Sequence, residues 1–299
     1  MAQAQEKCGQ LEIVNKIQMV RSRYTDLVPV GINGVQKYFI FATGGYFTSV
    51  APGVAKDLSL PVEIGTSTID LRGRSSHNVA TVRDFIAGKM RGSNLTLQVE
   101  ASSLNDGIFA LDRWQGVDLD VDFGTDTLNM FSQDHCPGAV QYWTAPAIAV
   151  IPISMDGNHV IVPVTLDGHV EQAIIDTGAA NTALEQPEAQ KVFGITPGDS
   201  NTPDTGALGG DSSLRVYTHS FKNLTFGDFA VNDPKIAIVP NTPGYHIPGT
   251  AWRDNSPLRK EKMLIGMDVL RKLHVYFAFG EKKMYISQAS APTQEYLAQ

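Results

Sequence analysis

The 299-residue sequence has no apolar run of the roughly 20 residues that a membrane-spanning helix needs. It also has no concentration of basic residues, because 24 Lys and Arg stand against 31 Asp and Glu, for a formal net charge of -7. Nucleic acids and anionic membrane surfaces both require a concentrated positive face. We therefore expect a soluble globular protein with no membrane span and no nucleic acid partner.

Motifs for bound cofactors are missing as well. The sequence contains no Walker phosphate loop and no dinucleotide fingerprint, so no cofactor is expected. Its seven His residues show no paired spacing of metal ligands, and we expect them to occupy ordinary surface positions. The sequence therefore predicts no metal site.

Cysteine is scarce, since Cys8 and Cys136 are the only two in the chain. Cys8 lies near a terminus that would otherwise fray, and Cys136 lies in the turn-like segment DHCPGAV. Because neither has the apolar neighbours of a buried cysteine, we predict a disulfide between them, with two free thiols in a reducing cytosol as the alternative.

The first residues also bear on location. They contain no apolar core of a signal peptide, but AQAQ resembles the residues left around a signal-peptidase cut. We expect a periplasmic or secreted protein, and a cytoplasmic one if this interpretation is wrong.

Two pairs of segments repeat within the chain. LVPVGINGVQKYFIFATGGYFTS, from Leu27, aligns without a gap with IVPVTLDGHVEQAIIDTGAANTA, from Ile161. GIFALDRWQGVDLDVDFGTDTLNMF, from Gly107, likewise aligns with MLIGMDVLRKLHVYFAFGEKKMYIS, from Met263. Because both pairs occur in the same order, we predict two homologous lobes, at residues 1–138 and 139–299.

The local signals within each lobe are those of strands and tight turns. Short β-branched or alternating runs are separated by Asn-Gly, Asp-Gly and Phe-Gly dipeptides. Hairpins are predicted at Asn33-Gly34 and at Asp167-Gly168, because these dipeptides suit type I′ turns. Helix is confined to short pieces such as MDVLRKL, so the fold class is all-β.

Asp176 is the strongest candidate for a catalytic residue. Two apolar residues precede it, Thr177 and Gly178 follow it, and the LIG of MLIGMDVL comes later in the same lobe. This arrangement resembles the retropepsin-like branch of the aspartic protease superfamily, and the resemblance covers nearly the whole chain, twice over. It implies two retropepsin-like β lobes that form a pepsin-like bilobal molecule, related by a pseudo-twofold axis, with a cleft between them.

The resemblance also implies an activity and the residues that carry it. An aspartic endopeptidase binds a peptide or protein in the interlobe cleft and places one Asp from each lobe on a water molecule. Two adjacent carboxylates share one proton, so that one acts as a base while the other donates to the substrate carbonyl. By this resemblance Asp176 is catalytic, and Thr43, Gly44, Thr177 and Gly178 support the two loops.

Ala42 stands where the second Asp is expected, and three explanations are open. The chain is a substituted, trapped form of a protease, which the retained Thr43 and Gly44 favour. Alternatively it is a natural pseudoprotease that binds peptides without cutting them, which Ala110 favours, because the other lobe has Gly266 there and the N-terminal packing has relaxed. In the third, two chains pair their Asp176 loops, but the linked first lobe already fills that face, and we expect a monomer. As a monomer the chain should be inactive or strongly impaired.

Other acidic positions carry weaker signals. A second Asp-Thr-Gly at Asp204 lacks the apolar lead-in, and we interpret it as an ordinary loop Asp. The segment that follows it, through Tyr217, is a candidate for a flap hairpin with an aromatic residue, and its counterpart in the first lobe spans residues 66–82. Asp112 and Asp268 are predicted to cap the short helices that begin near them.

Overall fold

The computed structural model describes residues 8–65, 78–100, 105–114, 116–208, 210–241 and 261–290. Strands dominate, and the helices are short: α1 (Pro52–Asp57), α2 (Gln186–Phe193), α3 (Met267–Leu270) and a 3-10 turn at Leu111–Arg113. Within these ranges, no helix has the length and apolar character needed to cross a bilayer. The predicted all-β fold class is confirmed.

The strands of the first half are β1 (Ile13–Gln18), β2 (Val20–Arg21), β3 (Asp26–Ile32), β4 (Val35–Ala42), β5 (Ser49–Val50), β6 (Val62–Ile64), β7 (Asn78–Ala87), β8 (Met90–Val99), β9 (Gly107–Ala110), β10 (Val117–Asp122) and β11 (Thr127–Ser132). Those of the second half are β12 (Ala149–Pro152), β13 (Ser154–Asp156), β14 (His159–Leu166), β15 (His169–Ile175), β16 (Ala183–Glu185), β17 (Asp204–Leu208), β18 (Asp211–Ser220), β19 (Asn223–Phe226), β20 (Phe229–Asn232), β21 (Lys235–Val239), β22 (Met263–Ile265), β23 (Leu273–Ala278) and β24 (Lys283–Gln288).

These strands form three sheets. Strands β2 to β9 make a sheet of the first half, and strands β13 to β22 make a sheet of the second half. The third sheet, with the order β1-β11-β10-β23-β24-β12, takes three strands from each half. At its centre β10 pairs antiparallel with β23, so the two lobes share one hydrogen-bonded sheet.

The internal repeat is visible in this order of elements. Strands β3, β4, β9, β10 and β11 have the counterparts β14, β15, β22, β23 and β24, each within a residue or two of the offset that the sequence predicts. Both predicted hairpins form as well. Asn33 and Gly34 have φ of 50° and 82°, and Asp167 and Gly168 have 45° and 87°, which are left-handed values that a type I′ turn requires at both positions.

One hydrophobic core cluster extends through both lobes. Its largest buried side chains include Phe39, Phe41 and Phe109 of the first half and Phe226 and Phe277 of the second. Burial of each such ring contributes about 1.5–3 kcal/mol, so the core holds the ends of β4 and β15 firmly in place.

The structure joins Cys8 to Cys136 in a disulfide with a Cα–Cα distance of 4.8 Å. Cys8 precedes edge strand β1, and Cys136 lies in the segment 133–148, which has neither strand nor helix and connects the two lobes. The AQAQ segment lies outside the described residues.

Candidate active site

Reciprocal hydrogen bonds join the loops that follow β4 and β15. The Thr43 N–H donates to Thr177 Oγ1 (2.9 Å), and the Thr177 N–H donates to Thr43 Oγ1 (3.0 Å). Each hydroxyl then donates across the interface, Thr43 to the Ile175 carbonyl (2.7 Å) and Thr177 to the Phe41 carbonyl (2.6 Å). All four bonds are buried. They place the backbones of positions 42 and 176 side by side across the pseudo-twofold axis.

Asp176 is fully buried and held by its own loop. Its N–H donates to the Ile265 carbonyl of β22 (2.9 Å), and its Oδ1 accepts the Gly178 N–H (3.0 Å). The Ala179 N–H closes the turn on the Asp176 carbonyl oxygen (3.3 Å). These bonds fix the orientation of the carboxylate, as a catalytic carboxylate requires.

Ala42 has an equivalent backbone and a different side chain. The Gly45 N–H closes the same turn on the Ala42 carbonyl oxygen (3.2 Å). The methyl group of Ala42 is fully buried in an apolar cluster with Leu27, Ile40, Ile108 and Ala110. The first lobe therefore has the same turn and carries a methyl group where the second lobe has a carboxylate.

Asp112 and Asp268 do not cap helices, contrary to the sequence prediction. The N-cap positions are Ala110 and Gly266, and no side-chain hydrogen bond caps either helix. Instead Asp268 Oδ1 accepts the N–H and hydroxyl of Thr182 (2.8 and 2.7 Å), and Asp112 Oδ1 accepts those of Thr48 (3.0 and 2.6 Å). Burial raises the pKa of both carboxyls, and these hydrogen bonds oppose the rise.

Gly266 and Ala110 meet different surroundings. A Cβ at Gly266 would lie 2.4 Å from the Asn181 carbonyl carbon and 2.8 Å from the Thr182 nitrogen, so only glycine fits. In the C-terminal lobe the N–H groups of Met267 and Asp268 also donate to the carbonyls of the loop after Asp176. At the equivalent place the Ala110 methyl lies 3.2 Å from where a Cβ on Gly45 would be.

The loop after Ala42 is held instead by two residues of the other lobe. Asn158 Nδ2 donates to the Tyr46 carbonyl (2.6 Å), and His159 Nε2 donates to the Gly44 carbonyl (3.0 Å). The His159 ring also contacts the Tyr46 ring edge-to-face, with centroids 4.3 Å apart. Sequence reasoning missed both residues, because the repeat has no equivalent of this contact and a single His in a hairpin gives no local signal.

The prediction of surface positions for the histidines is wrong for three of them. His135, His159 and His274 are each less than 9% exposed. His135 bonds Asp118 (2.8 Å), and His274 bonds Asp120 (2.7 Å). Among the described residues, no group of His, Cys, Asp or Glu side chains is arranged to hold a metal ion.

The second Asp-Thr-Gly lies far from this geometry. Asp204 begins strand β17, is exposed, and pairs with Arg215 across the β17–β18 hairpin. Tyr217 lies at the base of this hairpin, opposite Asp204, and packs against the core rather than at the tip. In the predicted counterpart of the first lobe, residues 66–77 lie outside the described residues.

The family model described as "Aspartyl protease" matches residues 162–269. Among solved structures, the crystal structure of the aspartic proteinase from Irpex lacteus is similar with a TM-score of 0.50 and 10% sequence identity, over 93% of this chain and 98% of that one. No curated protein sequence matches. The structural likeness shows a shared bilobal fold across almost the full length of both chains.

Proposed function

We propose that this chain, in which residues 162–269 match the aspartyl protease family model and whose fold is similar to that of an aspartic proteinase, has between its lobes the site of an endopeptidase with one carboxylate missing. The observation that carries the proposal is the reciprocal Thr43–Thr177 bonding, which pairs position 42 with Asp176. A peptide in the cleft is the substrate class, and the chain as written is inactive or strongly impaired.

The chemistry follows from the number of carboxylates. In a complete pair, Asp176 takes a proton from the attacking water while the partner donates one to the peptide carbonyl. With Ala42 in place, the side chain at that position offers a methyl group and can neither share a proton nor polarise the carbonyl. Asp176 alone can still orient water, but general acid catalysis, typically worth about 10²–10⁴-fold, is lost.

A cleavage assay tests this function. The unaltered chain should leave a mixture of unstructured peptides intact at acidic pH, whereas Ala42→Asp should cleave them in a manner that pepstatin inhibits. Asp176→Ala serves as the matched control, because it removes the carboxylate from the opposite loop. Cleavage by the unaltered chain that survives Asp176→Ala would refute the assignment.

Peptide binding without cleavage is the second candidate function. The packing of Ala42 with Ala110, and the hold of Asn158 and His159 on the loop after it, favour this candidate. These contacts are those expected of a first lobe whose packing is adapted to alanine at position 42. If Ala42→Asp is inert while both forms bind the same fluorescent peptides with equal affinity, the non-catalytic function is supported.

We further propose that the chain acts as a monomer in an oxidising compartment, periplasmic or extracellular. The first lobe already occupies the face of the Asp176 loop, which supports a monomer. The Cys8–Cys136 pairing supports the compartment, because disulfides persist where thiols are not kept reduced. Protein isolated from its native host and denatured without reductant should bind no maleimide; labelling of both cysteines would overturn the location.

A further inference from the structure

A pocket lies on the six-stranded sheet that the two lobes share. It has a volume of about 420 Å³ and lies between that sheet and the interlobe segment 133–148. The sheet contributes Asp120, Asp122, Asn129 and His274, and the segment contributes Tyr142 and Trp143. Because side chains alternate along β10, the two carboxylates lie on the face opposite to Leu119 and Val121, which belong to the core.

Asp120 is the buried centre of this pocket's hydrogen-bond network. Its Oδ1 bonds His274 Nε2 (2.7 Å), and its Oδ2 accepts hydrogen bonds from the Tyr142 hydroxyl (2.5 Å) and Asn129 Nδ2 (3.0 Å). Trp143 lies against the His274 ring, with centroids 4.3 Å apart, and its indole N–H donates to Ser287. This network of hydrogen bonds fixes the positions of the side chains that line the pocket.

Two acceptors in the pocket keep capacity for a ligand, and one of them, Asn129 Oδ1, is buried. Asn129 is 6% exposed, and its Oδ1 has no hydrogen-bond partner among the described residues. Asp122 is also 6% exposed and uses only Oδ1, which accepts the N–H groups of Gly124 and Ser290. Within the described chain, its Oδ2 takes no hydrogen bond. A buried acceptor such as Asn129 Oδ1 is costly unless a donor reaches it.

The charges and aromatic rings that line the pocket indicate which kind of donor group fits it. Two carboxylates face one histidine, and the remaining basic side chain of the lining, Lys16, is exposed on edge strand β1. Tyr142 and Trp143 offer aromatic faces beside the carboxylates, and such faces attract cations. An ammonium group supplies three donors and a positive charge, whereas a neutral hydroxyl supplies one donor and no charge.

We propose that this pocket is a second binding site, separate from the Asp176 loop, for a small organic ammonium cation. Its ammonium group donates to Asp122 Oδ2 and Asn129 Oδ1, and its carbon chain lies along the rings of Tyr142 and Trp143. The site spans both lobes, so an occupant contacts β10 and β11 of the first and β23 of the second. This inference does not depend on the proposed peptidase function.

Calorimetric titration with putrescine tests the site, with 1,4-butanediol as the neutral probe of the same length. The unaltered chain should bind putrescine saturably and butanediol undetectably. Asp122→Asn keeps the Oδ1 that Gly124 and Ser290 use but removes the charge, and should weaken binding by about tenfold or more, as expected for a charge-assisted hydrogen bond. Asp176→Asn, which alters the other site, should leave the affinity unchanged.

A second variant keeps the proposal testable if Asp122→Asn fails to fold. Lys16→Gln removes a positive charge from the rim and should tighten putrescine binding by about two- to fivefold at low salt. Several results would overturn the proposal: no binding by the unaltered chain, equal binding of butanediol, equal affinity in Asp122→Asn, or loss of binding in Asp176→Asn, which would place the amine at the active-site loops instead.

Discussion

At the residue scale, two substitutions distinguish the lobes at their active-site loops. Ala42 differs from Asp176 by one carboxylate, and the loop backbone around it is unchanged. Ala110 differs from Gly266 by one methyl, and here the neighbouring backbone has adjusted. The loop after Ala42 accepts hydrogen bonds from Asn158 and His159 of the other lobe. The lobes therefore differ in a carboxylate at the first position and in packing at the second.

Gly266→Ala is predicted to damage the C-terminal loop. The new methyl would lie 2.4 to 2.8 Å from backbone atoms of Asn181 and Thr182, which cannot move without breaking the Thr182–Asp268 hydrogen bonds. We expect a loss of about 3 kcal/mol or more in the free energy of unfolding, at the upper end of overpacking effects, measured by chemical denaturation.

Ala110→Gly is the matched control in the first lobe. It removes a methyl that already fits, so it should cost only about 1 kcal/mol through backbone freedom and a small lost contact. Equal effects of the two substitutions would contradict the view that the lobes pack differently at these positions.

At the element scale, ion pairs between side chains connect the start of β3 to Arg271, the residue that follows α3. The Arg271 guanidinium donates to Asp26 Oδ1 (3.1 Å) and to the Ser22 carbonyl (2.8 Å), and Arg21 pairs with Asp126 nearby. Burial raises the pKa of Asp26 to about 6, although Arg271 lowers it in part. The stability of this junction between the lobes therefore depends on pH in the mildly acidic range.

Asp26→Asn is predicted to remove that sensitivity. Because the pKa of Asp26 in the folded chain, about 6, lies above its ordinary value of 3.8, its contribution to stability is complete below about pH 4 and is lost as the pH rises through 6. Between pH 7.5 and pH 4 the unaltered chain should gain on the order of 3 kcal/mol relative to Asp26→Asn. Urea denaturation of both proteins at each pH measures this difference. A constant difference across the range would show that Asp26 does not titrate in this way.

At the scale of the whole molecule, the sequence predicts much of the fold because the fold is repeated. The same strand pattern occurs at equivalent positions of the two lobes. A weak strand signal in one lobe is therefore supported by the matching signal in the other. Asn33-Gly34 and Asp167-Gly168 turn as predicted because their φ values are local properties. Thr43 and Thr177 could be predicted as a pair because they occupy equivalent positions in the repeat.

Features that break the repeat were not predictable in this way. His159 contacts Gly44 and His274 contacts Asp120 through the association of the lobes, and neither contact leaves a local pattern in the sequence. Asp112 and Asp268 resembled helix caps because they lie in the first turn of short helices, whereas their partners, Thr48 and Thr182, lie many residues earlier. Long-range partners of polar residues therefore needed the three-dimensional structure.

The central claim is that positions 42 and 176 form one divided catalytic pair, and kcat/KM across acidic pH tests it most directly. We predict that Ala42→Asp gains at least about 10²-fold over the unaltered chain and gives a bell-shaped profile with two ionisations, as a shared-proton pair requires. Adding Asp176→Asn to Ala42→Asp should return the activity to background. Activity that persists in that double variant, or a gain with no dependence on Asp176, would contradict the claim.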